Sequence, residues 1–425
     1  MLRRAIKALW IGLVAMSFGL TTWAQVEVNV SGAKVGTKRI AVVPFVADGS
    51  GQVDFVISSD LHKTGQFQPI DPKTYPMRPT GPQELNFSQW QGLGADYVVI
   101  GRALNGQSSM VQFVLADVAT GQILANEQVQ QIDMRRAAHE SADRILERLT
   151  GKRGAFATPI AYVLERGSGG NRSYALVVSD SDGANRKELV QSASPILSPA
   201  WSPNGRAIAF ATYNGNQSQI VIQHLAGGSK VVVQSRNTAS APSFSPDGRR
   251  LVYMQSVDGN ADIFSIDLAS GNSQRLTNHA AIDTEPTFSP DGRYIYFTSD
   301  RSGSPQIYRM NASGGGEQRI PISGSYSANA SLSPDGQFLA LTRQSGGGAQ
   351  IGLYDLRHGR FEALTNGRLD EGASFAANGD MLIYATHEGG RSILKIINSK
   401  GGVAQTLSDP QGRLRNPAWA PEVRK

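Results

Sequence analysis

A six-residue motif that recurs along the second half of the chain constrains the fold more than any other feature. The sequence FSPDGR begins at Phe244 and again at Phe288, and degraded copies begin at four further positions: Trp201, Leu332, Phe375 and Trp419. Successive copies are 43, 44, 44, 43 and 44 residues apart. A repeat of this length with β patterning is typical of a β-propeller, in which each repeat forms one four-stranded blade.

Each copy of the motif suits a tight reversal of the chain. Proline fixes φ at the second turn position, Asp or Asn bonds to its own backbone, and glycine takes the positive φ. Segments with period-two alternation follow each turn, such as RLVYMQS, ADIFSIDL and SQRLTN within one repeat. The large residue before each turn recurs once per repeat, so we expect it to pack between adjacent blades.

The ends of the repeat predict how the ring closes. The last copy, at Trp419, supplies only one strand, and the three strands that it lacks match the segment 159–191 before the first copy. Six blades result, of which five are continuous and one is composite, with the C-terminal strand closing the propeller over residues 159–425. Closure removes sheet edges that would otherwise be exposed.

Residues 37–155 lack the motif and are predicted to form a small α/β domain, joined to the propeller by a linker at 152–158. RIAVVPF and ADYVVIG have the composition of buried strands, and a hairpin is predicted to turn at Thr120 and Gly121. One helix is expected near 53–64. A second is expected over 134–149, with Asp133 as N-cap and Gly151 at its end. The predicted fold is therefore an N-terminal α/β domain followed by a six-bladed β-propeller.

The first 24 residues have the features of a secretory signal peptide. A basic start precedes an apolar run from Ala8 to Leu20, and Ala24 is a small residue at a suitable cleavage site, Ala24-Gln25. The alternative, a membrane anchor, is disfavoured because the run is short for a bilayer span. Removing this segment leaves 38 basic and 35 acidic residues. The near-neutral balance, without a basic patch interleaved with aromatics, argues against a nucleic-acid partner.

The segment after the predicted cleavage site, residues 25–36, has a clean strand pattern. Val26, Val28 and Val30 alternate with polar residues, among them Glu27, and glycines follow at 32 and 36. Two interpretations remain open: an edge strand of the α/β sheet, or a flexible strand that adds to the sheet of a partner. The pattern alone does not choose between them.

Catalytic and metal-binding motifs are missing from the sequence. There is no G-x-S-x-G and no P-loop, and HESAD at 139 lacks the second histidine of H-E-x-x-H. The six histidines form no pair at ligand spacing, and the chain has no cysteine for disulfides, thiolate metal sites or nucleophilic catalysis. We therefore predict no catalytic residues, no cofactor and no metal site.

Polar residues precede the first strand of several repeats, and the symmetry of a propeller brings these loops together on one face. They include four acidic residues: Asp283, Glu285, Asp370 and Glu371. Paired carboxylates there could hydrolyse or bind glycans, or hold a cation. A docking surface for a protein is the favoured interpretation, since propeller functions concentrate on loops that the rigid ring presents.

The motifs together resemble the TolB family, the soluble periplasmic component of the Tol–Pal system. The resemblance covers the chain after the signal peptide and depends on the SPDG repeats combined with RIAVVPF, LTGKRGAFATPIAYV and RNPAWAP. It implies a non-enzymatic periplasmic adaptor that supports outer-membrane integrity and constriction during cell division. It also implies two partners: the lipoprotein Pal, which inserts into the mouth of the propeller, and the C-terminal domain of TolA, which pairs with the N-terminal strand.

The same resemblance assigns partner-binding residues by position. The Pal face includes Thr238, Ala241, Thr284 and Glu285, and the TolA strand includes Val26, Glu27, Val28 and Val30. The loop at 237–240 lacks a histidine that relatives carry there. The resemblance further implies no insertion into the membrane after signal cleavage. We expect the N-terminal strand to exchange between a docked and a free state, with Pal shifting that balance through its differential affinity for the two states.

Overall fold

The structure, a computed structural model, describes residues 36–49, 52–105 and 108–422. The predicted signal peptide and all but the last residue of the predicted TolA strand lie outside the described residues. Within the described part of the chain, no helix combines the length and the apolarity that crossing a membrane requires.

The N-terminal domain is a five-stranded sheet in the order β2-β1-β3-β4-β5, flanked by helices. β1 pairs in parallel with β2 and β3, and β3, β4 and β5 are antiparallel neighbours. The strands are β1 (Lys38–Val42), β2 (Phe67–Pro69), β3 (Tyr97–Asn105), β4 (Ser109–Asp117) and β5 (Ile123–Gln131). The helices are α1 (Val53–Lys63), α2 (Phe87–Leu93) and α3 (Met134–Thr150), with short 3-10 turns at Pro72–Thr74 and Pro82–Glu84.

Both predicted helices, both buried strands and the hairpin are confirmed, whereas β2 and α2 were not predicted. The Asp133 side chain accepts a hydrogen bond of 2.8 Å from the backbone N–H of Arg136 at the start of α3, and Gly151 ends the helix with φ of 76°. The apolar stripe of α3, formed by Met134, Ala138, Ala142 and Ile145, packs in one buried cluster with residues of α1 and of the sheet. Because capping and stripe agree, this helix was predictable from local sequence.

The remaining strands form six four-stranded sheets arranged as the blades of a propeller, which confirms the predicted fold. Blade 1 comprises β9 (Leu197–Trp201), β10 (Ala207–Asn214), β11 (Gln217–His224) and β12 (Ser229–Ser235). Blade 2 comprises β13 (Ala239–Phe244), β14 (Arg250–Val257), β15 (Asn260–Asp267) and β16 (Ser273–Arg275). Blade 3 comprises β17 (Asp283–Phe288), β18 (Tyr294–Ser299), β19 (Gln306–Asn311) and β20 (Gln318–Arg319). Blade 4 comprises β21 (Ser327–Leu332), β22 (Phe338–Ser345), β23 (Gly348–Asp355) and β24 (Arg360–Ala363). Blade 5 comprises β25 (Glu371–Phe375), β26 (Met381–Glu388), β27 (Arg391–Asn398) and β28 (Val403–Leu407). Blade 6 is composite, in the order β29 (Gly412–Trp419), β6 (Ile160–Arg166), β7 (Ser173–Ser179) and β8 (Lys187–Ser192), with a 3-10 turn at Gly169–Asn171 between β6 and β7.

Ring closure follows the prediction, because the C-terminal strand β29 pairs antiparallel with β6. Leu414 lies opposite Leu164, and Trp419 opposite Ile160. The large residue before each motif turn packs in a buried cluster, as expected. The indole N–H of Trp201 in blade 1 donates to the Ala418 carbonyl of β29 at 3.0 Å. This bond ties the first continuous blade to the closing strand.

The N-terminal domain contacts the face of the ring that carries the motif turns, which we call the turn face. Lys152 pairs with Asp380 in the motif turn of blade 5 at 2.5 Å, and Asn378 of that turn donates to the Arg153 carbonyl at 3.1 Å. The linker is fixed as well, since both carboxylate oxygens of buried Asp143 on α3 accept backbone N–H groups of residues 156 and 157. The two domains also share one apolar cluster.

A buried group of charges, the interdomain charge cluster, joins α1 and α3 to the turn after β7. Its members are Asp60, Lys63, Arg135, His139, Asp180 and Asp182. The Nδ1 atom of His139 lies 2.5 Å from an Asp60 oxygen, and its Nε2 lies 3.6 Å from an Asp182 oxygen. Burial disfavours the charged imidazole, but the Asp60 and Asp182 carboxylates outweigh it and raise the pKa of His139.

The same cluster holds the pKa of Asp182 at about 2. Burial acts to raise that pKa, but the charges of Lys63, His139 and Arg135 act more strongly in the opposite direction. By distance, His139, Asp180 and Asp182 could also ligate a metal ion. However, Lys63, Arg135 and a protonated His139 already match the three carboxylates in charge, so the cluster balances without a metal.

Candidate partner-binding mouth

The channel through the ring is lined by the innermost strand of every blade, and its cavity has a volume of about 470 Å³. Each inner strand enters from the face opposite the turn face, which we call the mouth. The contacts between the N-terminal domain and the motif turn of blade 5 lie on the turn face, away from the mouth. The loops that were predicted to converge on one face do so here.

Each inner strand has an irregularity at the same position of the repeat. The register of its pairing shifts there, and the residue at the shift adopts a positive φ between 47° and 65°; the six residues are Ser198, Ala241, Glu285, Asn329, Gly372 and Asn416. Only one of them is glycine. A left-handed conformation costs other residues about 1–3 kcal/mol and persists where the surrounding structure imposes it, commonly at functional sites.

Glu285 uses its carboxylate to join blades 3 and 4. It accepts hydrogen bonds from the Thr298 hydroxyl and from the backbone N–H of Asn329, both at 2.7 Å. The Asn329 side-chain amide donates a third bond at 3.3 Å. Glu285 therefore lines the channel while it fastens two blades together.

Two other carboxylates of the predicted acidic group are also engaged. Asp283 is fully buried and accepts two hydrogen bonds from Arg301, at 2.8 and 2.9 Å. Asp370 is buried and accepts from the hydroxyls of Thr365 and Thr386 at 2.5 Å each. A glycosidase needs one carboxyl to protonate the leaving group and another to attack or to activate water. Carboxylates bonded within the blades, as these are, do not suit that chemistry.

All four predicted Pal-face residues lie on the mouth side of the ring. Thr238 is exposed on the rim of blade 2, where its carbonyl accepts the N–H of Ser256 at 2.8 Å. Ala241 and Glu285 line the channel, and Thr284 is half-buried in β17. The predicted TolA residues Val26, Glu27, Val28 and Val30 lie outside the described residues.

An apolar arc on the mouth was not predicted from the sequence. Ile282 is 52% exposed, Leu369 is 55% exposed, and Tyr326 between them is half-buried. They occupy the same repeat position in blades 3, 5 and 4, three residues before the positive-φ residue, and we call them the rim triad. The 44- and 43-residue spacing was visible in the sequence, but which loop side chains stay exposed was not.

Polar groups without partners lie beside the rim triad. Within the described residues, the hydroxyls of Ser327 and Thr342 and the Nε of Arg343 are buried without a hydrogen-bond partner in the protein. All three are at the mouth ends of β21 and β22. A buried polar group without a partner costs about 1–3 kcal/mol, so a ligand or water that satisfied these groups here would bind favourably.

Comparisons with known proteins place these features in a family. The model described as "TolB amino-terminal domain" matches residues 26–124, and the "TolB beta propeller domain" matches residues 146–423. The chain belongs to the TolB family. A "Tol-Pal system protein TolB" of Thioalkalivibrio sulfidiphilus is 43% identical over 409 residues, which cover 94% of both chains. The protein of the same name from Xanthomonas campestris is 42% identical over 428 residues, covering 97% of this chain and 98% of the relative.

A solved TolB structure has the same architecture. The crystal structure of TolB from Acinetobacter baumannii superposes with a TM-score of 0.86 at 36% identity. The match covers 94% of this chain and all of that one. The predicted resemblance to the TolB family is therefore confirmed across both domains.

Proposed function

We propose that the protein is a non-enzymatic periplasmic adaptor of the Tol–Pal system. It binds the lipoprotein Pal at the mouth and the C-terminal domain of TolA through residues 25–36. In this way it supports outer-membrane integrity and constriction during cell division. Membership of a family whose relatives are named as Tol–Pal system proteins supports this role.

One observation supports the mouth as the Pal site. The rim triad places exposed apolar side chains next to buried donors that lack hydrogen-bond partners. Three residues after each member of the triad, the inner strand has the positive-φ residue that all six blades share. Protein interfaces gain most of their affinity from apolar or aromatic anchors in a desolvated centre, surrounded by satisfied polar groups. An inserted peptide could cover the triad and bring acceptors to these donors.

The test is to make the rim triad polar. We expect Ile282→Ser combined with Leu369→Ser to weaken Pal binding at least about tenfold, since hot-spot truncations cost more than about 1 kcal/mol each. Ile132→Ser is the matched control, because Ile132 is 83% exposed but belongs to the N-terminal domain. Titration of purified Pal into each variant measures the affinity. Equal Pal affinity of the double variant and the wild type would exclude the mouth as the site.

The TolA assignment has a separate test. Tagged protein with or without residues 25–36, each exported to the periplasm, is recovered from envelope extracts. We expect the shortened form to retain Pal and to lose TolA, because an added strand binds through its main chain and alternate side chains. Recovery of TolA with the shortened form would refute the assignment, and loss of Pal as well would indicate a general defect.

A further inference from the structure

The wedge between blades 3 and 4 opens on the turn face, away from the mouth. It forms a cleft of about 820 Å³, compared with about 490 Å³ between blades 1 and 2 and about 740 Å³ between blades 4 and 5. Such wedges belong to the architecture, because each is bounded by the motif turns of two blades. Their walls therefore provide an internal comparison.

That comparison identifies Arg309 as exceptional. In the register of β18 and β19, Arg309 lies opposite Tyr296. The equivalent pairs are Ile222 with Ala209 in blade 1 and Leu353 with Ala340 in blade 4, and Ile222 and Leu353 line the two other wedges. An arginine thus stands where an apolar side chain completes the wall of those two wedges. The fold does not require a charge at this position.

Arg309 is held in place without being neutralised. Its guanidinium carbon lies 4.4 Å from the centroid of the Tyr294 ring, and its Nη2 donates to the side-chain oxygen of Gln318 at 3.1 Å. Among the described residues it forms no ion pair. A cation–π contact and a neutral amide fix the fork of the guanidinium but leave its full positive charge facing the cleft.

The balance of charge in the cleft is positive. Arg319 and Arg357 also line it and, within the described part of the chain, form no ion pair. Two carboxylates line the cleft against four arginines: Asp291 pairs with Arg293 at 2.6 Å, and Asp335, which accepts from the Ser333 hydroxyl at 2.5 Å and the Gln337 backbone N–H at 3.0 Å, keeps its negative charge. At the edge of the cleft, Asp355 pairs with His358 at 2.7 Å.

We propose that this arginine cleft, formed by Tyr294, Arg309, Arg319 and Arg357, binds a small anionic ligand that carries a phosphate or carboxylate group. Guanidinium groups bind such oxyanions through paired, charge-assisted hydrogen bonds. The volume of the cleft lies within the range of about 300–1,000 Å³ that is usual for ligand pockets. The site is on the opposite face from the mouth, so the inference does not rest on the proposed Pal contact.

The test is calorimetric titration of the purified full-length protein with four probes. Inorganic phosphate and citrate separate phosphate from simple carboxylate chemistry, N-acetylmuramic acid adds a carboxylate on a sugar, and N-acetylglucosamine is the neutral control. We expect at least one anionic probe to bind and the neutral sugar not to bind. Binding of phosphate alone or of carboxylates alone supports the proposal and names the ligand chemistry. Binding of no anion, or equal binding of the neutral sugar, overturns it.

Variants separate the cleft from general surface charge. Arg309→Leu restores the side chain found in blade 4, so it preserves the fold, and we expect about tenfold or greater loss of anion affinity. Arg309→Lys keeps the charge but not the fork, and an intermediate loss is expected. Arg360→Gln, in the wedge between blades 4 and 5, is the matched control and leaves the affinity unchanged. Anion binding that Arg309→Leu does not weaken overturns the assignment, while an unchanged urea midpoint verifies folding.

Discussion

Replacing Asp182 by asparagine tests whether the interdomain charge cluster holds the two domains together. The side chain of Asp182 is 8% exposed and receives an ion pair from Arg135, with His139 at 3.6 Å. Asparagine has nearly the same shape and keeps the oxygen that accepts the N–H of Ala184. The substitution therefore removes the negative charge while disturbing the packing little.

The pKa of Asp182 gives the expected magnitude. A fall from 3.8 to about 2 corresponds to about 2.5 kcal/mol of stabilisation of the charged form in the folded protein. Since the folded pKa is lowered, this stability is present above about pH 4 and is lost as the pH falls towards 2. We expect Asp182→Asn to lower the free energy of unfolding by about 2–3 kcal/mol at pH 7, with a smaller difference at pH 3.

Urea unfolding followed by tryptophan fluorescence measures this loss. The matched control is Asp291→Asn, because the pKa of Asp291 is also held at about 2, by the Ser289 hydroxyl and Arg293, but on an exposed turn. Solvent screening there limits the expected loss to less than about 1 kcal/mol. If both variants lost the same stability, or if Asp182→Asn lost less than about 1 kcal/mol, the cluster would not fasten the domains.

Four further outcomes follow from the ring and its interfaces. Removing residues 416–425 takes away half of the closing strand, so we expect an open ring that aggregates, which size-exclusion chromatography detects. Trp419→Ala, at a side chain that is 5% exposed, should lower the free energy of unfolding in urea by about 3–5 kcal/mol. Glu285→Ala removes the acceptor of the Thr298 hydroxyl and the 2.7 Å acceptor of the Asn329 N–H, which keeps only a 3.2 Å contact with the Thr298 oxygen, and a loss of about 1–3 kcal/mol is expected in the same assay. The pKa of His139 is raised above 6.5, so its protonated form stabilises the fold, and this contribution is lost as the pH rises through the folded pKa. His139→Gln should therefore flatten the dependence of the unfolding free energy on pH above pH 6.5.

The propeller was predictable because its information is local and repeated. The Pro-Asp-Gly turns specify where the chain reverses, and the 43- and 44-residue spacing specifies how many times it does so. The composite blade followed from counting strands at the two ends. Helix α3 was predictable for the same kind of reason, because Asp133 and Gly151 mark its ends within the sequence itself.

The mouth and the domain interface were less predictable because their contacts join distant parts of the chain. Nothing near Glu285 indicates that its carboxylate accepts the N–H of Asn329, 44 residues away. The left-handed conformation of Ala241 was not predictable, because the residue at this position is not a glycine. His139 was considered only as part of a failed zinc motif, whereas its function in the fold depends on Asp60 and Asp182, which packing brings to it.

The closing strand connects the features that the sequence presents separately. Within β29, Asn416 lines the channel with φ of 47°. Three residues later, the indole of Trp419 donates to the linker hydroxyl of Thr158 at 2.8 Å, and its backbone N–H donates to Ser374 of blade 5 at 3.0 Å. One extended strand thus contacts the mouth, two blades and the linker to the N-terminal domain. A partner that shifted the channel wall at Asn416 would therefore act on the linker through the short stretch of β29 between Asn416 and Trp419. Coupling between distant sites is carried by contiguous contacts of this kind.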